Sequence, residues 1–191
     1  MSEREKTTQQ EAAVRSGASE DSKAIHTIRI QPMELSFQTN EALKMLRANI
    51  QFSGYGLKAI AITSCQANEG KSFISFELAR SLAELGERTL YLDCDIRNSV
   101  AQARLGVTEK LPGLSDFLVG KAQIGDILCK TNLPQLHMIF AGSLSPNPAE
   151  LLSEELCERL CEALKKNYDY IIMDTAPLGL VIDAAIIAKQ C

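Results

Sequence analysis

The stretch Ser64-Cys65-Gln66-Ala67-Asn68-Glu69-Gly70-Lys71-Ser72 constrains this chain more than any other. It follows an apolar run rich in Ile and Ala at 57–63, which reads as a buried strand. It leads into 73–85, where Phe73, Phe76, Glu77, Leu78, Leu82 and Leu85 recur with a helical period. A strand, a loop carrying Gly-Lys-Ser and a helix together make a phosphate site: successive backbone N–H groups converge on the anion, and the helix N-terminus adds its positive dipole end. In that reading Lys71 reaches the outer phosphates and the Ser72 hydroxyl ligates Mg2+. The strict pattern asks for Gly where Cys65 stands. Asn68 occupies a second position suited to Gly, and Asn is among the few residues that tolerate left-handed backbone. The tripeptide alone also fits a chance occurrence at a helix start; the flanking strand and helix favour the phosphate loop.

Further strands carry carboxylates to their ends. After a Gly86 helix stop, 88–92 reads as a second strand running into Asp93-Cys94-Asp95-Ile96-Arg97, and 168–177 as a fourth, apolar until Asp174. Ligands of open parallel sheets sit outside the C-terminal strand ends, so Asp93 and Asp95 are candidates for Mg2+ ligation or a catalytic base. Asp174 fits a second metal-site acid. A solvated Asp pair at a strand exit is the plainer alternative, and the neighbouring phosphate loop weighs against it. A third strand at 136–140, with His137 packed against it, runs into the Pro-containing turn 141–148 and a helix at 149–166. That turn suits either the active face or a rigid helix start. Short packing helices are expected at 113–120 and 124–129, and another helix at 183–189. The alternation predicts an α/β fold, a mostly parallel sheet with helices on both faces. No strand follows the last helix before Cys191, so a fragment is expected.

The whole composition limits the alternatives. With 191 residues and 46% hydrophobic content, the chain suits one domain burying roughly 70% of its unfolded surface. A net charge of −4 offers no general attraction to nucleic acid or anionic lipid, so no nucleic-acid partner is expected. No apolar run of spanning length and no export signal is present, which points to the cytoplasm. Six cysteines without a CxxC pair, and only His26 and His137 as imidazoles, favour reduced thiols over disulfides or zinc. Cys157 and Cys161 share a helical face as small core residues. Residues 1–24 are Ser, Thr, Gln, Glu and Lys rich without an aromatic and read as a disordered tail. Residues 25–37, interrupted by Pro32, read as an extended arm, and the domain as 25–191.

Asn40 reads as the N-cap of a helix at 41–50 that places Leu43, Leu46 and Ile50 on one face and Glu41, Lys44 and Arg47 on another. A solvated charged face is the ordinary reading of such spacing. The inner face accounts for burial, leaving a charged stripe that the fold itself does not require.

These motifs resemble the bacterial tyrosine kinases (BY-kinases) of capsular and exopolysaccharide synthesis, in the deviant Walker A P-loop superfamily. Glu69-Gly70-Lys71-Ser72, the Walker A' run 92–97 and the Walker B run 171–177 look like the family's three nucleotide motifs. Asn147-Pro148-Ala149-Glu150-Leu151-Leu152 resembles its Asn-Pro-x-Glu-Leu-Leu segment. Glu41, Lys44, Arg47 and Asn49 match its oligomerisation helix, which simpler septum-site and partition ATPases are not expected to have. The likeness covers about 34–191. Lys44 stands where the family has Arg and lacks the bidentate fork. The family's C-terminal tyrosine cluster is absent; only Tyr55, Tyr91, Tyr168 and Tyr170 occur, all in or near core elements.

The resemblance implies phosphoryl transfer from MgATP to a tyrosine hydroxyl, achieved by positioning and charge neutralisation. It assigns nucleotide binding to Gln66, Ala67, Asn68, Glu69, Gly70, Lys71, Ser72 and Phe73, and the metal to Ser72, Asp95 and Asp174. Lys71, Asp93 and Asp95 become catalytic, with Asp93 accepting or orienting the tyrosine proton. A ring-shaped homo-oligomer is implied, and so is activation by a membrane polysaccharide chain-length regulator that recruits the protein to the inner face of the membrane. Two other functions compete: a partition-type ATPase switch, and a degenerate interaction module that no longer binds nucleotide.

Overall fold

The computed structural model describes residues 25–31, 33–54 and 56–191; the expected disordered tail, the interruption at Pro32 and Tyr55 lie outside them. The strands are β1 (His26–Ile28), β2 (Ala59–Ile62), β3 (Thr89–Asp93), β4 (Leu128–Thr131), β5 (Leu136–Ile139) and β6 (Tyr170–Asp174). They form one sheet in the order β1-β4-β5-β3-β6-β2, in which only the β4–β5 pair is antiparallel. Central β3 is buried along its whole length, because a parallel strand covered on both faces has no solvated side.

Alternation along the strands sorts two cores. Leu90, Leu92, Ile171, Met173 and Ile139 point to one face, and Tyr91, Ile172, Met138 and Phe140 to the other. The second face is covered by α1 (Phe37–Phe52), α2 (Lys71–Ala83) and α3 (Ala101–Arg104). The first is covered by α4 (Leu114–Leu118), α5 (Ile124–Ile127), α6 (Pro148–Ser153), α7 (Glu155–Asn167) and α8 (Asp183–Ala188). Leu78, Ala79 and Leu82 bury one stripe of α2 and so aim its N-terminus at the C-terminal ends of β2, β3 and β6. The expected α/β sandwich with helices on both faces is what forms.

Several expectations need correction. The extended arm adds β1 to the sheet edge, paired in parallel with β4, and Asn132 accepts from Ile30 N at 2.7 Å to pin it. The helix expected at 124–129 stops at Ile127, and Cys129 enters β4. The helix at 149–166 is two helices broken at Glu154, whose ψ of 148° is extended. The turn at 141–148 lines neither cavity described below; Pro148 opens α6 at its first turn, the structural alternative. Cys157 and Cys161 are buried in the core as expected.

The first helix also begins earlier. Ser36, not Asn40, is its N-cap, accepting from Thr39 N at 3.1 Å, and Asn40 lies inside it. Of the expected inner face Leu43 is buried, Ile50 half-buried and Leu46 exposed. Arg47 belongs to the inner side, because its guanidinium donates to Ser81 O at 3.0 Å and to Ser81 Oγ at 2.8 Å in the last turns of α2. Glu41 and Lys44 stay outside, paired with each other at 2.8 Å. The stripe is therefore not a set of three charges that the fold can spare. Arg47→Ala is expected to lower unfolding stability by about 1–2 kcal/mol, the worth of charge-assisted bonds at a half-buried site. Glu41→Ala is expected to stay within about 0.5 kcal/mol. Urea denaturation of the two variants beside the parent measures the contrast.

Candidate phosphate and metal site

The phosphate loop is shaped from within. Glu69 folds back so that its Oε2 accepts from Cys65 N at 2.9 Å and Gln66 N at 3.0 Å, an internal carboxylate that fixes the entry to the loop. Asn68 takes a left-handed φ of 65°, the conformation Asn tolerates, and Gly70 has φ 94° as the N-cap of α2. A side chain at Gly70 would be strained there, so the turn that delivers the helix N-terminus needs glycine. The first N–H groups of α2, from Lys71 onward, have no partner inside the helix.

A cavity of about 250 Å³ lies on this loop, lined by Ala67, Asn68, Gly70, Lys71, Ser72 and Asp95 of the expected residues. Of the others, Gln66 and Glu69 are engaged with each other, and Phe73 faces a neighbouring cavity. The segment after β6 closes one side: Leu178 N donates to Ser64 O at 2.9 Å, and a Cβ at Gly179 would meet Cys65 O at 2.2 Å. Gly179 is therefore required for the close approach of two backbones.

Three oxygens gather around one cationic nitrogen. Lys71 Nζ lies 3.2 Å from Ser72 Oγ, 3.4 Å from Asp95 Oδ2 and 3.5 Å from Asp174 Oδ1. Register explains this convergence: β3 and β6 are neighbours with Asp93 opposite Asp174, and Cys94 N donates to Asp174 O at 2.8 Å. Two carboxylates and a hydroxyl are hard oxygen donors at a point already favourable to positive charge, a set that suits Mg2+ with its remaining positions filled by phosphate and water. Among the described residues no third carboxylate, Cys or His completes a protein-only cage.

Outer contacts fix these donors. Asp174 is 1% exposed and accepts from Tyr91 Oη at 2.9 Å and Ser75 Oγ at 3.3 Å. Burial, with Asp93 and Asp174 nearby, pushes the Tyr91 hydroxyl well up, so it remains a donor. Neither Tyr91 nor Ser75 stood out in the sequence as a site residue; the signal available for Tyr91 was that a polar group on a fully buried strand needs a partner, and Ser75 on the buried stripe of α2 is subject to the same demand. Asp93 is fully buried and does not line the cavity: Oδ1 accepts from Asp95 N at 3.1 Å and Oδ2 from the half-exposed Ser99 hydroxyl. Burial pushes its carboxyl up to about 7. Arg97 lines the cavity in a two-pronged pair with Asp183, Nε to Oδ2 at 2.6 Å and Nη2 to Oδ1 at 3.0 Å. This tie joins the segment after β3 to the start of α8.

With the geometry established, three comparisons place the chain. The AAA domain family matches residues 57–190. Tyrosine-protein kinase CpsD of Streptococcus agalactiae is 47% identical over 154 residues, covering 81% of this chain and 67% of that protein. The solved BceF tyrosine kinase domain superposes with a TM-score of 0.71 at 30% identity, covering 97% of this chain and 73% of that one. The septum site-determining protein MinD from Pyrococcus horikoshii, at 24% identity and a TM-score of 0.59 over 70% of this chain and 54% of its own, shares the fold. A phosphate loop whose lysine meets two buried strand-end carboxylates, with likeness of this extent, makes the chain a member of the bacterial tyrosine-protein kinase family of P-loop ATPases.

Proposed function

We propose that the chain transfers the γ-phosphoryl group of ATP to protein tyrosine hydroxyls in the control of capsular or exopolysaccharide synthesis. The observation that carries this reading is the meeting of Lys71, Ser72, Asp95 and Asp174 within 3.5 Å of one nitrogen beside a phosphate loop. In the transfer, the phenol oxygen bonds to the γ-phosphorus. The bond to the bridging oxygen breaks, and its electron pair leaves on ADP. The loop N–H groups and Lys71 hold the phosphates and oppose the charge that builds on the leaving group. Ser72, Asp95 and Asp174 would hold Mg2+, which when bound would supply Lewis-acid neutralisation of the phosphate oxygens. The phenolic proton passes toward the Asp93–Asp95 pair. Because Asp93 is sealed from solvent, Ser99 is its route outward.

The partition-type switch remains the second reading, favoured by the MinD-like fold, and it differs in needing no protein acceptor. A module without nucleotide binding is disfavoured by the intact loop geometry. Among the described residues no helix is long and apolar enough to cross a membrane. As the activating partner that would bring the chain to the membrane we propose a polysaccharide chain-length regulator. Self-assembly would use the outer face of α1. There Phe37, Met45 and Phe52 are 79%, 67% and 87% exposed, recur on one side of the helix, and flank Glu41 and Lys44. Asn49 is exposed on the same helix.

Three measurements test this reading. Lys71→Met is expected to reduce phosphotyrosine formation about a hundredfold or more, the loss of one preorganised charge contact of roughly 2.7–4 kcal/mol. Full activity in that variant would falsify the loop assignment, and ATP turnover without phosphotyrosine in the parent would favour the switch. Tyr91→Phe is expected to weaken Mg2+-dependent nucleotide binding by about 10–100-fold, because the hydroxyl that orients Asp174 is gone. An unaltered Mg2+ titration contradicts that role. For assembly, Met45→Glu combined with Phe52→Glu is expected to give a monomer in sedimentation with an unchanged melting temperature. Persistence of a parent-sized species assigns the outer face of α1 to solvent.

A further inference from the structure

A second cavity, of about 300 Å³, adjoins the phosphate cavity and shares Gly70, Ser72 and Arg104 with it. Its walls are the side chains of Met33, Phe73, Phe76, Tyr91 and Leu105. Phe76 and Tyr91 meet edge to face, their ring centres 6.2 Å apart at 72°. The polar side chains of its lining are Ser72, Glu77, Arg104 and the Tyr91 hydroxyl. Ser72 belongs to both cavities, and Glu77 is already paired with Arg80 at 2.7 Å. Gly70 and Arg104 are the other shared residues. Arg104 ends α3, is exposed, and makes no ion pair with a carboxylate among the described residues.

We propose that this cavity is the acceptor subsite, which takes the phenol ring of a tyrosine presented by another protein chain. The inference rests on the kinase reading and adds to it the place where the acceptor sits and the residues that select it. The cavity shares Gly70, Ser72 and Arg104 with the phosphate cavity, so a ring seated among Phe73, Phe76 and Leu105 would turn its hydroxyl toward that shared margin and the metal site. An apolar aromatic body with one polar tip matches a wall built mainly of Met33, Phe73, Phe76, Ala101 and Leu105, with Ser72 and Arg104 at the shared margin and Glu77 neutralised by Arg80. A serine or threonine side chain would leave most of this volume unfilled and forfeit the burial. A purine ring is the competing occupant by size, but its ring nitrogens want hydrogen-bond partners, and beside the margin that Ser72 and Arg104 share with the phosphate cavity the walls offer only Glu77, which Arg80 already engages, and the Tyr91 hydroxyl, which Asp174 engages. Arg104, standing where the two cavities join, faces the phosphoryl group as it crosses from donor to acceptor and then holds the product's phosphate by a charge-assisted contact.

Leu105 lines only the second cavity, which makes it the residue to fill. The test uses the full chain, p-cresol as the ring probe, MgADP as the nucleotide and a tyrosine-containing peptide as acceptor. In the parent, p-cresol is expected to shift the resonances of Phe73, Phe76 and Leu105. Leu105→Trp is expected to abolish those shifts and raise the peptide KM by about tenfold or more, the scale on which a pocket rejects an ill-fitting group, while MgADP affinity stays unchanged. Should Leu105→Trp fold poorly, Met33→Trp narrows the mouth from an exposed position and is expected to change KM in the same direction. Absence of p-cresol shifts at these residues in the parent overturns the proposal. So does a Trp variant that weakens MgADP while sparing the peptide, since the cavity then holds the nucleotide's base. If p-cresol binds there but the parent forms no phosphotyrosine, the phenol-selective cavity stands and the kinase reading fails.

Discussion

Everything in this fold answers to the cost of keeping three carboxylates at the buried ends of two adjacent strands. Asp93, Asp95 and Asp174 are 0%, 7% and 1% exposed, and like charges so close in a low-dielectric interior repel unless each is paired. The structure resolves the conflict unequally. Asp174 receives Lys71, Tyr91 and Ser75; Asp95 receives Lys71; Asp93 receives a hydroxyl and a backbone N–H and is driven toward neutrality. The cation that balances the cluster is thus the same side chain that a phosphate would attract. A bound nucleotide and its metal would supply opposing charges to the same few atoms, so the phosphate loop and the acidic strand ends form one electrostatic unit.

That unit depends on backbone geometry as much as on side chains. Glu69 spends its charge on its own loop, Asn68 and Gly70 accept left-handed φ, and Gly179 lets the segment after β6 lie flush on Cys65. Arg97 and Asp183 repeat the arrangement across the cavity, tying the segment after β3 to α8. The pocket is therefore walled by three loops, two of them laid on each other and the third tied to the start of α8.

The legibility of this arrangement in the sequence follows from where each residue's environment is determined. Lys71, Ser72, Asp95 and Asp174 could be read because each lies at or just beside the boundary of an apolar or periodic run that marks its own element. β3 and β6 were visible for the same reason, being continuous apolar runs. β1 and β4 were not: they are only 3 and 4 residues long, lie toward one edge, and carry polar residues such as Thr27 and Lys130. Ser36 and Asn40 are both good caps, and only the bond to Thr39 N decides between them. Nothing in the composition of 149–166 marks the break at Glu154. Tyr91, Ser75 and Asp183 were illegible as site residues because the pairing of β3 with β6 and the docking of α8 bring them to the site, and neither is a local property.

The bond between Arg47 and Ser81 joins the helix that carries the exposed apolar stripe to the end of the helix that begins at the phosphates. The second helix is 13 residues long, a rigid rod of about 20 Å with the anion site at one end and this clasp at the other. A neighbour pressing on the outer face of the first helix therefore acts on a stiff beam, not on a flexible hinge. Any tilt it imposes is delivered to Lys71 and Ser72 as displacement at the far end of that beam, so docking and phosphate grip would share a single mechanical degree of freedom.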